Sequence, residues 1–450
     1  MKHDKLQNKR TEGDINGTEA RKEWQAAIAD ANTLQLLEKD ARYFFHQALS
    51  TPCLDVLKKC DGPYIENITG KKYLDFHGNN VHQLGFSHPK LVERLTEQLQ
   101  GLTFSTRRYT NEPAIKFAKK LTSLLPSDLN RVLMTPNGSS AIGIALKLAR
   151  AITGKFKVVS FWDSFHGASL DAISIGGEAV FREYMGPMMP GVERIPPPVT
   201  YRGIFEGNES KCLEYLEYVF AKEGDIGAFV AETVRNTDIQ LPSVEFWQEA
   251  RVLCDKYGVV LILDEIPIAL GRTGKMFAFE HYGIEPDILC LGKGLGGGIF
   301  PQAAIVTRDR YNKFPDISLG HYTHEKSPLG AIAALTTIEI IEEEKILHKV
   351  AGDSLTMCTA MNILKDKYEI IGDVRGRGLL WGVELVTNRD TKQKAVHQAE
   401  QVMYECLSNG LSFKVSAGNV LQLAPALTIS RKELKNAIEI LNNALSSVSN

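Results

Sequence analysis

Six short apolar segments alternate with helical stretches between about residues 80 and 340, and this alternation constrains the fold more than any other feature. The segments are rich in β-branched residues and show no polar–apolar alternation, which is typical of parallel strands buried on both faces. They lie at residues 131–135, 157–161, 228–232, 259–264, 288–291 and 303–307. Helices between such strands predict a doubly wound α/β fold with a mostly parallel sheet.

The segments that flank this region predict a second, smaller unit. Residues 63–76 have the pattern of a β-hairpin, and the chain after residue 340 mixes helical and strand patterns. We therefore predict a large domain over residues 81–340. The N-terminal segment 1–80 and the C-terminal residues 341–450 are expected to form a small α+β domain together.

Composition excludes several classes of protein. The net charge of −2 gives no basis for binding nucleic acid or an anionic membrane, and no apolar run is long enough to span a bilayer. The polar N-terminus lacks the apolar stretch of a secretory signal. Seven scattered cysteines without a Cys-x-x-Cys pair argue against a disulfide framework or a zinc site. We expect a cytoplasmic protein without a bound metal.

Lys293 is the first candidate for chemistry. It follows the apolar segment 288–291 and begins the glycine-rich run 292–298, which lets another molecule approach the backbone. A lysine at the end of an apolar strand is desolvated, and its depressed pKa makes it a nucleophile suited to Schiff-base formation. The alternative is a surface lysine in a flexible loop.

The loop after the segment 131–135 is a candidate anion site. Gly138, Ser139 and Ser140 precede a helix, and small residues there expose backbone N–H groups to an anion at the positive end of the helix dipole. The alternative is simple N-capping by Ser139 or Ser140.

Two further strand ends carry an aromatic ring and an acid. Phe165 and His166 follow the segment 157–161, and Phe165 is placed either to stack on a flat ligand or to pack in the core. Asp264 ends six apolar residues, so its charge needs a cationic partner, and Arg272 is the structural alternative for that partner. An anion site, an aromatic ring, an acid and a lysine are the groups that pyridoxal phosphate requires.

With these motifs in place, the chain from about residue 50 to its C-terminus resembles the class III (ω-amino) aminotransferases of fold type I. The most specific matches are 263–265 with 271–274, and 286–288 with 292–298. The resemblance implies pyridoxal 5'-phosphate as cofactor and a seven-stranded sheet in the large domain. It also implies a homodimer, with a tetramer as the alternative.

The resemblance also implies roles for individual residues. Lys293 would hold the cofactor and move protons, Asp264 would pair with the pyridine nitrogen, and Phe165 would take the stacking position. Thr323 matches a threonine that reaches the cofactor phosphate from the partner subunit. The full set implied to bind the cofactor is Gly138, Ser139, Phe165, His166, Glu232, Asp264, Lys293 and Thr323.

One departure from the family pattern bears on the reaction. Gln422 stands where family members that use 2-oxoglutarate carry an arginine that grips a carboxylate, and a neutral amide cannot replace that charge. Ordinary exchange with a 2-oxo acid is therefore not expected. The alternative is drift within the aminotransferases.

A second departure favours the phospho-lyase branch of the family, which eliminates ammonia without an amino acceptor. Residues 79–81, 105–109 and 200–203 resemble that branch. Guanidinium groups suit a phosphate or phosphonate dianion. The candidate substrate-binding residues are Arg108, Arg107, Asn80 and Arg235. Surface or interface salt bridges are the alternative role for these arginines.

The resemblance implies elimination of ammonia from a small aminophosphonate such as 1-hydroxy-2-aminoethylphosphonate, which gives phosphonoacetaldehyde. The alternatives are an ω-aminotransferase of a small phosphonate, phosphorylated amine or diamine, a phosphoethanolamine-type phospho-lyase, and a non-catalytic relative. Lys293 and Asp264 argue against the last of these. Loss of hydroxide needs a proton donor, for which His82, Glu232, Tyr109 and His324 are candidates.

Overall fold

The computed structural model describes residues 17–48 and 50–448. Its N-terminal part contains helices α1 (Glu19–Ile28) and α2 (Ala31–Tyr43), followed by strands β1 (Leu57–Asp61), β2 (Tyr64–Asn67) and β3 (Lys72–Asp75). Strands β2 and β3 pair antiparallel, which confirms the predicted hairpin. Asn67 stabilises the turn, because its Oδ1 accepts the backbone N–H groups of Thr69 and Lys71.

A seven-stranded sheet forms the centre of the molecule. Its strands are β4 (Leu129–Thr135), β5 (Lys157–Phe161), β6 (Val192–Ile195), β7 (Ile226–Glu232), β8 (Val260–Asp264), β9 (Ile288–Leu291) and β10 (Ala303–Arg308). They lie in the order β4-β10-β9-β8-β7-β5-β6. The predicted α/β fold with a mostly parallel seven-stranded sheet is confirmed.

Two details of the sheet differ from the sequence prediction. Strand β10 runs antiparallel to both of its neighbours, because the short connection from β9 leaves no room for a helical crossover. The pattern of residues could not indicate this, since β10 is buried on both faces like its parallel neighbours. Strand β6 was not predicted, because this short edge strand carries Glu193 and Arg194 and is only partly buried.

Helices cover both faces of the sheet. They are α3 (Pro89–Leu99), α4 (Glu112–Thr122), α5 (Gly138–Thr153), α6 (Leu170–Ile175), α7 (Ala179–Arg182), α8 (Glu209–Glu223), α9 (Val244–Tyr257) and α10 (Pro328–Glu343). Helix α5 packs its apolar side on the sheet, where Ile144 and Leu148 belong to one buried cluster with Val230 and Ile262. This packing fixes the N-terminus of α5 beside the carboxyl ends of the strands.

The remaining elements form a second α+β layer. They are α11 (Ile346–Lys367), β11 (Ile371–Arg377), β12 (Leu380–Asn388), β13 (Gln393–Lys394), α12 (Val396–Ser408), β14 (Leu411–Ser412), β15 (Lys414–Ser416), β16 (Val420–Leu423) and α13 (Arg431–Val448). Strand β14 pairs with β3, so the N-terminal and C-terminal segments share one sheet. The exact division at residues 80 and 340 stays a prediction.

Among residues 17–48 and 50–448, none of the helices combines the length and the apolar character that a membrane span requires.

Candidate active site

Parallel strand register brings two acids and a lysine to one edge of the central sheet. Glu232 at the end of β7 pairs with Asp264 at the end of β8, and Asp264 in turn pairs with Cys290 in β9. Lys293 begins a short 3₁₀ turn immediately after β9. Since the carboxyl ends of parallel strands meet at one edge, residues far apart in sequence become neighbours there.

Asp264 is bound to a histidine and not to an arginine. The Nδ1–H group of His166 donates to Oδ2 of Asp264 at 2.8 Å, and the backbone N–H of Ile266 donates to Oδ1 at 3.0 Å. Burial disfavours a charged His166 ring, but the hydrogen bond and charge of Asp264 outweigh it and raise the pKa of His166. Both side chains are buried, so this interaction is only weakly screened by solvent.

The structure rules out the alternative ion pair between Asp264 and Arg272. The guanidinium of Arg272 is fully buried and donates to the backbone carbonyls of Leu379 and Pro425. Burial lowers the pKa of Arg272 to about 9. The position of Arg272 next to a glycine-rich turn gave no signal for this role, because backbone carbonyl partners leave no pattern in the sequence.

Glu232 positions backbone segments near Asp264 and Lys293. Its Oε1 accepts the backbone N–H of Phe165 at 3.1 Å, and its Oε2 accepts the backbone N–H of Asn236 at 2.9 Å. Burial is the main reason that the pKa of Glu232 is raised. The half-buried ring of Phe165 contacts the ring of Phe181, with ring centroids 4.6 Å apart.

Asn236 connects Glu232 to two residues singled out in the sequence. Its Oδ1 accepts a hydrogen bond from Nδ2 of Asn80 at 3.2 Å, and its backbone carbonyl accepts one from Nε2 of Gln422 at 3.0 Å. Gln422 is buried, and Ser416 donates to its Oε1 at 3.4 Å. Asn80 and Gln422 therefore lie within the hydrogen-bond network of the site.

Lys293 has the environment expected of a reactive amine. Burial lowers its pKa, the charges of Asp264 and Glu232 oppose this effect, and the charge of Lys414 adds to it. The backbone at Lys293 is left-handed, with φ of +47°, a conformation that is uncommon for non-glycine residues. A Cβ atom at Gly294 would overlap the end of the Gln83 side chain, so glycine leaves room for Gln83 beside the lysine.

The start of helix α5 forms a cradle of backbone N–H groups. Asn137 is the N-cap, because its Oδ1 accepts the backbone N–H of Ser140 at 2.9 Å. The alternative of capping by Ser139 or Ser140 is therefore wrong, although an asparagine directly before Gly138 was a usable signal for the cap. The first-turn N–H groups of Gly138 and Ser139 have no partner within the helix.

Ser139 also connects this cradle to the loop that carries Phe165. Its Oγ accepts the backbone N–H of Ala168 at 3.1 Å. Gly167 has φ of +129°, and a Cβ atom there would overlap Oγ of Ser139, so only glycine allows the two segments to approach so closely.

These groups fit pyridoxal phosphate. The helix N-terminus offers N–H groups to a phosphate, Phe165 offers a ring face, and buried Asp264 offers a negative charge. Lys293 offers an amine without an ion pair in the part of the chain that the structure describes. The same described residues contain no group of three or more His, Cys, Asp or Glu side chains that could hold a metal ion.

Arg107, Arg108 and Thr323 are surface residues on two loops that contact each other. All three are exposed, and their two loops touch: the rings of Phe104 and His324 are 5.3 Å apart, edge to face. Nearby, Nδ2 of Asn111 donates to the backbone carbonyl of Lys326 at 2.9 Å. The arginine loop and the threonine loop therefore form one exposed unit.

Arg235 is already paired within the chain. Its Nε donates to Oδ1 of Asp238 at 2.5 Å, and a second nitrogen of the guanidinium contacts Oδ2 of the same carboxylate. Although burial opposes the charged form, Asp238 raises the pKa of Arg235. Its role in binding substrate stays a prediction.

A cavity of about 490 Å³ lies next to these residues. Arg235 lines it, as do two residues that the sequence did not suggest, Glu178 and Lys414. Oγ1 of Thr237 donates to Oε1 of Glu178 at 2.7 Å. Burial raises the pKa of Glu178 to about 7, the charge of Glu232 raises it further, and Lys414 and Arg235 oppose the shift.

Comparison with known proteins agrees with this architecture. The family model described as aminotransferase class III matches residues 46–445. The chain is 55% identical over 457 aligned residues to the (R)-1-hydroxy-2-aminoethylphosphonate ammonia-lyase of Vibrio splendidus (strain 12B01), which covers 98% of this chain and 95% of the relative. It is 33% identical to the leucine/methionine racemase of Thermococcus litoralis, over 92% of this chain and 96% of that protein.

A solved structure shows the same fold. The taurine:2-oxoglutarate aminotransferase of Bifidobacterium kashiwanohense, in complex with PLP and glutamate, superposes with a TM-score of 0.88 at 25% identity. The superposition covers 94% of this chain and 99% of that one. From the family match over residues 46–445 and the identity to curated relatives, the chain belongs to the class III aminotransferase family.

Proposed function

We propose that this chain is a pyridoxal phosphate-dependent ammonia-lyase that converts (R)-1-hydroxy-2-aminoethylphosphonate to phosphonoacetaldehyde and ammonia. The observation that carries the proposal is the 55% identity, over 98% of the chain, to a protein named for that activity. The net reaction loses one ammonia from the substrate, so it needs neither an amino acceptor nor an oxidant.

Different residues of this chain would hold different parts of the cofactor. Gly138 and Ser139 would hold its phosphate through backbone N–H groups, Phe165 would offer a ring face for stacking, and Asp264 would supply the negative charge for the ring nitrogen. When bound, the cofactor supplies an electron sink for the pair released as a C–H bond breaks. His166 orients Asp264 through its 2.8 Å hydrogen bond, and Glu232 orients Phe165 through the backbone.

Lys293 performs the proton transfer at the reacting carbon. Its Nζ takes the proton from the carbon that bears the nitrogen, which a lysine with a lowered pKa does more readily near neutral pH. Hydroxide then leaves from the neighbouring carbon. The unsaturated amine that leaves the site hydrolyses in water to phosphonoacetaldehyde and ammonia.

Hydroxide is a poor leaving group, so a proton donor is required. His82 is unsuitable, because burial lowers its pKa to about 3 and leaves it neutral, with Nε2 close to the carbonyl of Asp75. Tyr109 and His324 lie on two exposed loops that contact each other, and neither residue lines the cavity beside the site. Glu178 lines the cavity with a pKa of about 7 and retains its proton at neutral pH more often than an ordinary glutamate, so we assign it this role.

Gln422 supports a lyase over an ω-aminotransferase. Its Oε1 accepts a hydrogen bond from Ser416, and its Nε2 donates to the carbonyl of Asn236. The amide brings no positive charge to the site. An amino acceptor such as 2-oxoglutarate carries carboxylates, whose recognition calls for a guanidinium or a similar cation. A lyase has no such acceptor to bind.

The proposal includes a homodimer in which each site uses residues of both subunits. Thr323 would reach the cofactor phosphate of the partner subunit, and Arg108, with Arg107, would reach its substrate. The exposed position of these residues and the contact between their loops support this arrangement.

The purified holoenzyme distinguishes the lyase from the phosphoethanolamine-type alternative. With 1-hydroxy-2-aminoethylphosphonate we expect ammonia and phosphonoacetaldehyde in equal amounts, and with phosphoethanolamine we expect turnover at least about tenfold slower. Faster release of phosphate and ammonia from phosphoethanolamine would favour the phospho-lyase instead. Testing both enantiomers of the phosphonate checks the assigned configuration.

A further inference from the structure

The cavity beside the site contains four cationic side chains, and three of them are already occupied. Arg235 forms the two-point pair with Asp238, and Arg202 contacts Glu384 at 2.7 and 2.8 Å. The third, Lys394, donates from Nζ to the backbone carbonyl of Ala417 at 2.6 Å. The two arginines are thus paired with carboxylates, and Lys394 is hydrogen-bonded to the backbone.

Lys414 is the fourth cation of this cavity. Across residues 17–48 and 50–448, no carboxylate lies within ion-pair distance of its Nζ, and no hydrogen bond of its side chain is formed. It is only partly buried, so the amine is accessible from the cavity. An unpaired ammonium in a partly enclosed site is favourable for binding an anion.

Strand register places Lys414 at the site. In the antiparallel pair of β15 and β16, Lys414 lies directly opposite Gln422, and directly opposite residues project their side chains to the same face. Gln422 is hydrogen-bonded to Asn236, which is bound to Glu232. Lys414 thus lies on the strand next to Gln422, which belongs to the hydrogen-bond network of Asn236 and Glu232.

The electrostatic influence of Lys414 agrees with this position. Its positive charge contributes to lowering the pKa of Lys293 and of His77, and it opposes the rise in the pKa of Glu178. Lys414 and Glu178 line the same cavity, and the charge of Lys414 also acts on Lys293.

The proposed substrate requires a cation in this location. In 1-hydroxy-2-aminoethylphosphonate the phosphorus is joined to the carbon that carries the hydroxyl, which is the neighbour of the carbon deprotonated by Lys293. The phosphonate group must therefore be held close to both the base and the acid. Its two negative charges need compensation there, since the low dielectric of a cavity penalises uncompensated charge.

We propose that Lys414 binds the phosphonate of the substrate within the same subunit as Lys293, and that it thereby selects a dianionic substrate. This inference rests on the proposed function for the identity of the substrate. It adds a cation from the same chain to the arginines predicted to come from the partner subunit.

Steady-state kinetics of holoenzyme variants test the proposal. For Lys414→Met we expect the KM for the aminophosphonate to rise about 10- to 100-fold while kcat falls less than KM rises, because a charge-assisted contact to the bound substrate is lost. Lys414→Arg should recover most of the affinity. The visible absorbance of the bound cofactor should be unchanged, which shows that the variant is folded and loaded.

Lys394→Met is the matched control, because Lys394 lines the same cavity but donates to a backbone carbonyl. Its KM should stay within about twofold of the wild-type value. Inhibition by methylphosphonate, which carries the dianion without the amine, should weaken in Lys414→Met and not in Lys394→Met. An unchanged KM and unchanged inhibition in Lys414→Met would overturn the assignment.

A direct binding measurement separates this inference from the proposed function. If the wild-type holoenzyme releases no ammonia, the lyase proposal fails, and calorimetry with methylphosphonate still tests Lys414. Loss of methylphosphonate binding in Lys414→Met alone would support an anion site at Lys414. Equal binding by wild type and Lys414→Met would exclude one.

Discussion

The Nδ1 atom of His166 lies 2.8 Å from Oδ2 of Asp264, at the carboxyl edge of the central sheet. The two residues are 98 positions apart in the chain, and both are buried. The contact holds the Asp264 carboxylate in one orientation, with its second oxygen bound to the backbone of Ile266. The proposed cofactor site therefore contains a fixed, buried negative charge.

Replacing Asp264 with asparagine should remove that charge while keeping the shape of the side chain. We expect kcat to fall by about a hundred- to a thousandfold, because stabilisation of charge at the ring nitrogen is lost. Asp264→Glu retains the charge and should retain more activity. Near-wild-type kcat for Asp264→Asn, measured with saturating cofactor, would contradict the role of Asp264.

Lys293 should be essential for proton transfer. Lys293→Ala is expected to lose at least about a thousandfold in kcat, and Lys293→Arg should be equally impaired, because a guanidinium neither links to the cofactor nor takes a proton at neutral pH. Ammonia release under single-turnover conditions measures this loss. Chemical reduction of the wild-type holoenzyme, followed by denaturation, should leave the cofactor attached to Lys293. Mass spectrometry of the digested protein maps this attachment.

Glu178 should set the alkaline limb of the pH profile. Its folded-state pKa of about 7 is raised above the value of 4.5 for an ordinary glutamate, so the proton is held below that pH and lost as the pH rises through it. We expect kcat to decline above about pH 7. Glu178→Gln should lower kcat by about a hundredfold or more and should abolish this limb. An unaltered limb in Glu178→Gln would exclude Glu178 as the donor.

The same shift affects stability. A raised folded-state pKa means that the folded protein binds the proton more tightly than the unfolded chain does. The contribution of Glu178 to the free energy of unfolding is therefore greatest below about pH 4.5 and declines as the pH rises through about 7. Glu178→Gln should reduce this part of the pH dependence of stability.

Mixed dimers test whether Arg108 acts across the subunit interface. Lys293→Ala and Arg108→Ala subunits are each expected to form weakly active dimers, but a mixed dimer contains one site with both wild-type residues if Arg108 acts in trans. Random mixing should restore about a quarter of wild-type activity, because half of the dimers are mixed and one of their two sites is complete. No recovery in a verified mixed dimer would place Arg108 outside the partner's site.

Glu265 should be structural rather than catalytic. Its carboxylate accepts hydrogen bonds from Oγ1 of Thr233 and from the backbone N–H groups of Ala278 and Phe279, at 2.9, 2.6 and 2.7 Å. Glu265→Gln would turn an NH₂ group towards one of these donors, so we expect a loss of about 1–3 kcal/mol in the free energy of unfolding.

Urea denaturation measures this loss, with Glu97→Gln as the control. Glu97 is exposed on helix α3, and its replacement should change the free energy of unfolding by less than about 0.5 kcal/mol. Equal stability of the two variants would show that the buried contacts of Glu265 contribute little.

The residues at the carboxyl edge of the sheet could be predicted from sequence, because the end of a buried strand is visible in the local residue pattern. Asp264 and Lys293 each follow an apolar run, and parallel register then brings such ends together without further information. The antiparallel direction of β10 left no such signal, since burial on both faces produces the same residue pattern in either direction.

The hydrogen-bond partners of the site residues could be identified only in the folded structure. The pairing of Asp264 with His166, and not with Arg272, depends on the packing of loops far apart in the chain. Lys414 was missed because β15 has only three residues, too few for a periodic pattern, and its position is meaningful only through its register with Gln422. Glu178 lies in a loop whose burial has no counterpart in its local composition.

We propose that Lys293 serves elimination without an amino acceptor. Purified holoenzyme, freed of oxo acids by gel filtration, is incubated with (R)-1-hydroxy-2-aminoethylphosphonate, and ammonia and phosphonoacetaldehyde are measured over many turnovers. We predict sustained release of both in equal amounts, unaffected by added pyruvate and absent in Lys293→Ala. Turnover that occurs only with pyruvate, yielding alanine and no ammonia, would contradict the account.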